Sequence, residues 1–450
     1  MPSLSDRFSD GLTVVAEKVD ENKYLNSLKN SFGYFLPFIL VGSFASLLRS
    51  LVSSQETGLA RWIPALANLD GAFTAMNFAT MSFMTIPIVV LLGWQLAKRN
   101  GTPTHATAIL CVAAYVTVVP QSVQALLEDG SDGGTAAGLG DGALGAQGLF
   151  IGIIWTVVIT ELFRWLSGIE ALRIKMPDSV PPAIAQSFNS LIPVFLILTF
   201  SAVFGVLFRL GTGSYLNEWV YAVLQHPLEV IFQSSAGVIL MALFSQLFWF
   251  LGIHGGLVIS PIRNPLFATA IAANIAAVNA GAEPTQPLTY GFWVTFIVLG
   301  GAGGILGLTI VGALMSKQED LRMISRIGFV PAICGISEPL VFGVPLVLNP
   351  LYAIPFIFNT GISAAIAMVA MNLGFIQANT VDVPFGVPVF INGFIGFGWQ
   401  GVVVQAIILI ATTLMWVPFV AIDDRRAAQE SLDGESDPAN QNDSKEAVPA

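Results

Sequence analysis

Apolar positions run along the chain in blocks about as long as a bilayer is thick. They occupy residues 31–51, 76–97, 104–126, 145–167, 190–209, 221–250, 265–282, 290–315, 351–376 and 401–421. A helix crosses the hydrocarbon core with about 20 mostly apolar residues, so the pattern predicts ten crossings. The blocks at 221–250 and 265–282 are expected to be the least regular, because glycine, proline and His254 interrupt the sequence around them. Residues 1–29 differ. Leu12, Val15, Val19, Leu25 and Leu28 fall at roughly helical spacing among charged positions, which predicts an amphipathic helix on the membrane surface before the first span.

Composition narrows the class. The 450 residues are 54% hydrophobic and 11% charged, with mean hydropathy +0.73, whereas a soluble domain carries about 25% charged residues. Disorder, a collagen-like chain and a soluble enzyme are poor fits; an all-α polytopic membrane protein fits. Cys111 and Cys334 are too few for a disulfide framework and lack metal-ligand spacing. The N-terminal residues lack the short apolar core of a cleaved signal peptide. Half of the net charge of −10 comes from the end: from Asp423 onward there are eight acids and three bases, which predicts a solvated, disordered tail over 423–450.

Basic residues set the expected orientation. Arg7, Lys18, Lys23 and Lys29 precede the first block. Lys98 and Arg99 follow the second, Arg173 and Lys175 the fourth, and Lys317, Arg322 and Arg326 the eighth. The stretch LEDGSDGGTAAGLGDG after the third block has no base and is read as an external loop. Both termini are therefore expected in the cytoplasm. A polar segment at 168–189 divides the chain into an N-terminal half, 30–210, and a C-terminal half, 211–422.

Chemistry concentrates in the second half. In FSQLFWFLGIHGGLVISPIRNP, residues 244–265, His254 is the only ionisable residue before Arg263. In VPAICGISEPLVFGVPLVLNP, residues 330–350, Glu338 is the single charge between Arg326 and Asp382. Prolines 331, 339, 345 and 350 forbid one continuous helix, so two half-helices are expected to meet at Ser337, Glu338 and Pro339. Broken helices survive at membrane depth only where protein buries them or a watery cavity borders them. Residues 381–398, which include Asn392, have the same character and predict a second re-entrant hairpin. A carboxylate in an apolar segment costs about 3 kcal/mol on insertion scales, so Glu338 is read as a functional group lodged deep in the membrane. Capping of a helix end is the structural alternative. His254 is a ligand or a hydrogen-bonded core histidine; Gly252, Gly255 and Gly256 beside it let a ligand approach the backbone. Trp249 and Trp399 belong either to an interface belt or to a sugar-stacking platform. No phosphate loop, dinucleotide fingerprint or zinc motif occurs, so no cofactor or metal is expected. The run GGAGG at 300–304 is read as permitting close helix packing.

Three blocks in order carry a family resemblance: MPDSVPPAIAQSF at 176–188, FWFLGIHG at 248–255, and Pro331, Ser337-Glu338-Pro339-Leu340, Phe342-Gly343-Val344-Pro345 and Asn349-Pro350. Together they resemble the enzyme IIC membrane component of the bacterial phosphoenolpyruvate-dependent sugar phosphotransferase system (PTS), in its lactose, cellobiose and diacetylchitobiose family. The likeness spans roughly 5–422. It implies a ten-span protomer whose N-terminal half forms a homodimer and whose C-terminal half holds one sugar. In that family the histidine of the G-I-H-G block and the glutamate of the E-P block contact the sugar near the hydroxyl to be phosphorylated; these fall on His254 and Glu338. Gly255, Ser337, Trp249, Trp399 and Asn392 are the further candidates for sugar contact. Where the family usually reads close to N-I-N-E-P, this chain has Gly335-Ile336-Ser337-Glu338-Pro339.

The resemblance further implies a bacterial plasma-membrane permease for a sugar such as cellobiose. Its phosphoryl donor is a phosphocysteine on a separate enzyme IIB, fed by IIA, HPr and enzyme I, with no nucleic-acid partner. The rival reading is a proton-coupled secondary sugar transporter that uses Glu338 and His254 as a relay.

Overall fold

The computed structural model describes residues 21–55, 58–126, 132–174, 181–344 and 346–436. Most of the predicted amphipathic segment, the first half of the 176–188 block and the last residues of the acidic tail lie outside them. Within them the chain is almost wholly helical, as lipid demands of backbone groups that cannot bond to water.

Six helical stretches are long and apolar enough to cross a membrane: Lys23–Ser53, Ala146–Ser167, Phe188–Thr212, Tyr290–Leu314, Ala353–Asn372 and Ile391–Gln429. Two bent pairs also pass together, Pro64–Ser82 with Thr85–Asn100 at 42° and Leu216–Gln233 with Ser235–Phe250 at 81°. The shorter apolar helix Thr104–Val118 and the helix Ser260–Asn279 fill the two remaining places. The predicted blocks and these elements correspond in order. Among the described residues one strand pair forms, Ser122–Leu126 antiparallel to Asp132–Ala137; its first strand takes the end of the third predicted block, whose helix stops at Val118, and its second lies in the expected loop.

The principal helices are α1 (Lys23–Leu48), α2 (Thr85–Asn100), α3 (Thr104–Val118), α4 (Leu149–Ser167), α5 (Pro182–Thr212), α6 (Ser235–Phe250), α7 (Ser260–Asn279), α8 (Ile305–Leu314), α9 (Glu319–Ile333), α10 (Glu338–Gly343), α11 (Ala353–Asn372) and α12 (Ile391–Ser436). Three apolar cores hold them. Tyr115, Ile159 and Phe163 centre one among α3, α4 and α5. Phe292, Phe296, Leu308, Phe356 and Trp416 centre another in the second half. The third is the seam, where Phe32, Phe35 and Met84 pack on Ala268, Ile271 and Ile275 of α7.

Polar ties fix both ends of α1. Lys23 Nζ donates to Glu161 Oε1 at 2.7 Å and to Asn100 Oδ1 at 3.1 Å. At the other end Arg49 Nε donates to Asp70 Oδ1 at 2.9 Å and Nη1 to Asn279 Oδ1 at 3.0 Å. The Arg49–Asp70 pair is partly exposed, where such a pair contributes about 0–1 kcal/mol.

The segment 318–352 forms a hairpin whose break, expected within 330–350, falls between α9 and α10; Pro331 itself sits inside α9. Both of its ends bond to Asp423 on α12, and the first end also to Asp424. Lys317 N donates to Asp424 Oδ2 at 2.9 Å and Gln318 Nε2 to Asp423 Oδ2 at 3.0 Å; Tyr352 Oη donates to Asp423 Oδ2 at 2.9 Å. The tip of this hairpin, Ser337 and Glu338, borders a cavity in the second half. This corrects the expected tail boundary: α12 continues through Ser436, and Asp423 and Asp424 are anchors for the hairpin. A count of charges cannot distinguish a solvated acid from one accepting hydrogen bonds.

In the second interrupted stretch, residues 375–390 run without regular helix before α12 begins, and α12 is itself broken at Gly398 (φ 68°, ψ −164°). Buried Asn379 and Asp382 hold that loop: Asp382 Oδ1 accepts from Gly291 N at 2.6 Å and from Asn379 Nδ2 at 3.1 Å.

The run at 300–304 is a left-handed turn that interrupts a span. Gly300, Gly301, Gly303 and Gly304 all have positive φ. Gly303 N donates to Gln246 Oε1 at 3.1 Å, and Gly304 O accepts from Trp416 Nε1 at 3.1 Å. A Cβ on Gly301 (φ +106°) would lie 2.9 Å from Ser337 Cβ. Gly301→Ala therefore combines backbone strain of about 1–3 kcal/mol with pressure on the hairpin tip. Its thermal midpoint in detergent is expected to fall below wild type. Gly211→Ala, in a helix with open space around it, is expected to leave the midpoint unchanged or slightly raised.

Candidate functional site

Two helix breaks face each other in the second half. The first follows α6. Leu251–Ile253 turn the chain, with Gly252 at φ +82°, and His254 caps the short helix Gly255–Val258. The turn is forced by close packing: a Cβ on Gly255 would lie 1.7 Å from the Ser245 carbonyl oxygen. The second break is the hairpin tip, where buried Ser337 precedes Glu338 at the start of α10. Pro339 at the first helical turn needs no amide partner.

The breaks share a cavity of about 150 Å³ that borders Trp249, His254, Gly256, Arg263, Ser337 and Glu338. At about 30 Å³ for a water's share of liquid, this is room for about five waters. Thus His254, Glu338, Ser337 and Trp249 come together from 244–265 and 330–350. Glu338 does not sit as expected. Its side chain is exposed, on the cavity wall and open to the lumen. Exposure, rather than burial in apolar surroundings, spares the carboxylate the desolvation cost expected of it.

His254 is oriented from two sides. Its Nδ1 accepts from Leu257 N at 3.3 Å, so the ring proton is assigned to Nε2. Its ring lies 4.4 Å from the Trp249 ring, inclined at 44°. Nearly buried Trp249 therefore supports the imidazole. The imidazole stands within electrostatic reach of the Glu338 carboxylate and the Arg263 guanidinium.

Three expected contacts lie elsewhere. Gly255 turns toward α6 rather than the cavity. Trp399 is exposed and meets Phe375 edge-on at 5.8 Å, an arrangement suited to an interface belt. Buried Asn392 accepts from Gln405 Nε2 at 2.8 Å and borders a small void behind the hairpin tip.

Arg263, one turn into α7, is the main residue the sequence reading passed over. Its guanidinium carbon stands 4.7 Å from the Trp293 ring and 5.0 Å from the Phe267 ring. Contacts of this kind contribute about 0.5–2 kcal/mol. The available signal was a lone base in an apolar block. Gln246, Tyr290, Trp293 and Phe385 also border the cavity; none stands out from its apolar surroundings in sequence. A larger cavity of about 580 Å³ lies between α1 and α7 and shares Arg263 and Tyr290 with the first.

Comparison with known proteins decides the family. Residues 29–360 match the family described as phosphotransferase system, EIIC. The chain belongs to the phosphotransferase-system EIIC family. It is similar to the oligo-beta-mannoside-specific EIIC component of Bacillus subtilis (strain 168), 28% identical over 95% of this chain and 96% of the relative. The cellobiose-specific EIIC component of Lactococcus lactis subsp. lactis (strain IL1403) is 27% identical over 91% and 95% of the two chains. Among solved structures, the transporter ChbC, the IIC component of an N,N′-diacetylchitobiose-specific phosphotransferase system, superposes with TM-score 0.85 at 26% identity. The match covers 93% of this chain and 98% of ChbC. The multi-pass EIIC fold follows.

The first break gives a test. In Gly255→Ala the new Cβ meets the Ser245 carbonyl, so the His254 turn must shift. Sugar affinity measured by titration calorimetry is expected to fall about tenfold or more, which corresponds to about 1.4 kcal/mol.

Proposed function

We propose that this EIIC chain binds an external β-linked disaccharide of the cellobiose type. The chain carries the sugar across the plasma membrane and presents its 6-hydroxyl to a phosphocysteine on a separate enzyme IIB. The observation that carries this reading is the shared cavity of His254 and Glu338, assembled from two helix breaks. Relatives whose names specify oligo-beta-mannoside and cellobiose support the sugar class. One ring occupies the cavity and the second extends past its open side.

The parts divide the chemistry. The Glu338 carboxylate, exposed to the lumen, accepts a hydrogen bond from the 6-hydroxyl and receives its proton as the phosphoryl group arrives. His254 donates from Nε2 and orients the same end of the sugar. Holding the hydroxyl in line with the donor supplies much of the acceleration, since positioning is worth about 7–11 kcal/mol in favourable cases. The sugar phosphate, now an anion, cannot recross the bilayer.

Bases support cytoplasmic termini. Lys98 and Arg99 lie in the last turn of α2, and Arg425 and Arg426 follow the Asp423–Asp424 anchor. On this orientation the hairpin opens toward the cytoplasm, the side from which enzyme IIB approaches. We assign dimer formation to the N-terminal half, where Leu191, Phe195, Val206, Leu207 and Leu210 of α5 present an exposed apolar face. The proton-relay reading gains no support from relatives that are themselves phosphotransferase components.

Proteoliposomes supplied with labelled cellobiose outside and phosphorylated enzyme IIB inside test the reading. The expected product is luminal cellobiose phosphate. Uptake of unmodified sugar that an uncoupler abolishes would overturn the proposal. Glu338→Gln keeps the side-chain shape and removes the charge. It is expected to lower phosphorylation by about 10²-fold or more and to leave the dimer intact by light scattering.

A further inference from the structure

Arg263 is a cation with no ion-pair partner among the described residues. Its Nε is buried and finds no hydrogen-bond acceptor among them. The aromatic rings of Phe267 and Trp293 hold the guanidinium plane in place but do not neutralise its charge. An unneutralised charge away from bulk water is costly, and at membrane depth it marks a functional position.

Gly256 shows what the guanidinium faces. A Cβ placed on Gly256 would stand 3.5 Å from Arg263 Nη1, 3.3 Å from His254 Cε1 and 3.6 Å from His254 Nδ1. Imidazole and guanidinium therefore flank one gap, and the missing side chain of residue 256 keeps it open. Both groups border the same cavity as Glu338. A guanidinium fork matches the oxygens of a tetrahedral anion better than it matches scattered hydroxyls.

We propose that the gap between Arg263 and His254, floored by Gly256, is the seat of the phosphoryl group during transfer. This rests on the function proposed above. In the step, the phosphorus–sulfur bond of the partner's phosphocysteine breaks and the sulfur leaves as thiolate. A phosphorus–oxygen bond forms to the sugar hydroxyl, whose proton passes to the Glu338 carboxylate. The Arg263 guanidinium donates to the non-bridging phosphoryl oxygens. Its positive charge is thus matched only while the phosphoryl group is present, which stabilises transfer more than it stabilises sugar binding. Glu338 faces the hydroxyl and Arg263 the phosphorus, so the two opposite charges act on the two ends of the bond being made.

The test uses the purified full chain without enzyme IIB. Cellobiose, β-mannobiose and N,N′-diacetylchitobiose are titrated calorimetrically, followed by the 6′-phosphate ester of each sugar that binds. Arg263→Gln and Gly256→Ala are compared with wild type, and Arg263→Lys is the conservative variant. For both of the first two variants the expected result is a phosphate-ester affinity lowered about tenfold or more. Affinity for the parent sugar falls less than that for its ester, since both residues also border the sugar cavity. Phosphorylation supported by enzyme IIB falls about 10²-fold, and Arg263→Lys recovers part of both losses. Gly256→Ala keeps the cation and fills the gap, so it guards against a loss caused by misfolding of Arg263→Gln.

Equal loss of parent sugar and ester would make Arg263 a ligand for sugar hydroxyls and overturn the assignment. Unchanged ester affinity in both variants would also overturn it. Tighter binding of cellobiuronic acid than of cellobiose, lost in Arg263→Gln, would overturn it in favour of an acidic substrate. If wild type binds none of the three sugars or their esters, the proposed function itself falls and this inference falls with it.

Discussion

Backbone groups at the ends of broken helices cannot be left unpaired in lipid, and this constraint shapes the second half of the protein. Three of the interruptions are answered by particular partners. The turn at 300–304 is met by Gln246 and Trp416. The loop before α12 is held through Asn379 and Asp382. The hairpin at 318–352 is closed at its mouth by Asp423 and Asp424. Once these ends are secured, the free ends that remain, at His254 and at Ser337-Glu338, converge on one cavity. The site is therefore a product of where helices stop.

Much of this architecture was legible as pattern. Ten apolar blocks gave ten elements because span length is dictated by bilayer thickness, a property outside the protein. The break between α9 and α10 was legible in the cluster of prolines around Glu338, although Pro331 itself sits inside α9 and only Pro339 marks a helix start. His254 and Glu338 stood out as ionisable groups in apolar surroundings. Other features depended on partners distant in sequence. Asp423 looks like any tail acid until Tyr352 and Gln318 are beside it. Trp249 and Trp399 look alike in sequence. One supports an imidazole and the other lies against Phe375 in the open. Arg263 entered the sequence reading only as the boundary of an uncharged stretch. Its stacking between Phe267 and Trp293 is visible only once α7 is packed.

The two halves meet at an apolar seam flanked by polar ties, from Asp382 N to Ser43 Oγ and from Gln225 Nε2 to the Ala146 carbonyl. Phe32, Phe35 and Met84 meet small and branched residues of α7, and the polar tie from α1 to α7 is at the far end, from Arg49 to Asn279. Because α7 also carries Arg263, the helix that borders the cavity is the helix on which the N-terminal half rests. A displacement of the second half along this seam would carry the cavity with it, as transport requires.

The central claim is that one sugar ring sits between His254 and Glu338. An electron cryo-microscopy map of the full chain with bound cellobiose tests it most directly. The account predicts ring density in the smaller cavity, with a sugar oxygen within hydrogen-bond distance of both the Glu338 carboxylate and His254 Nε2. Density confined to the larger cavity between α1 and α7, with neither side chain in contact, would contradict it.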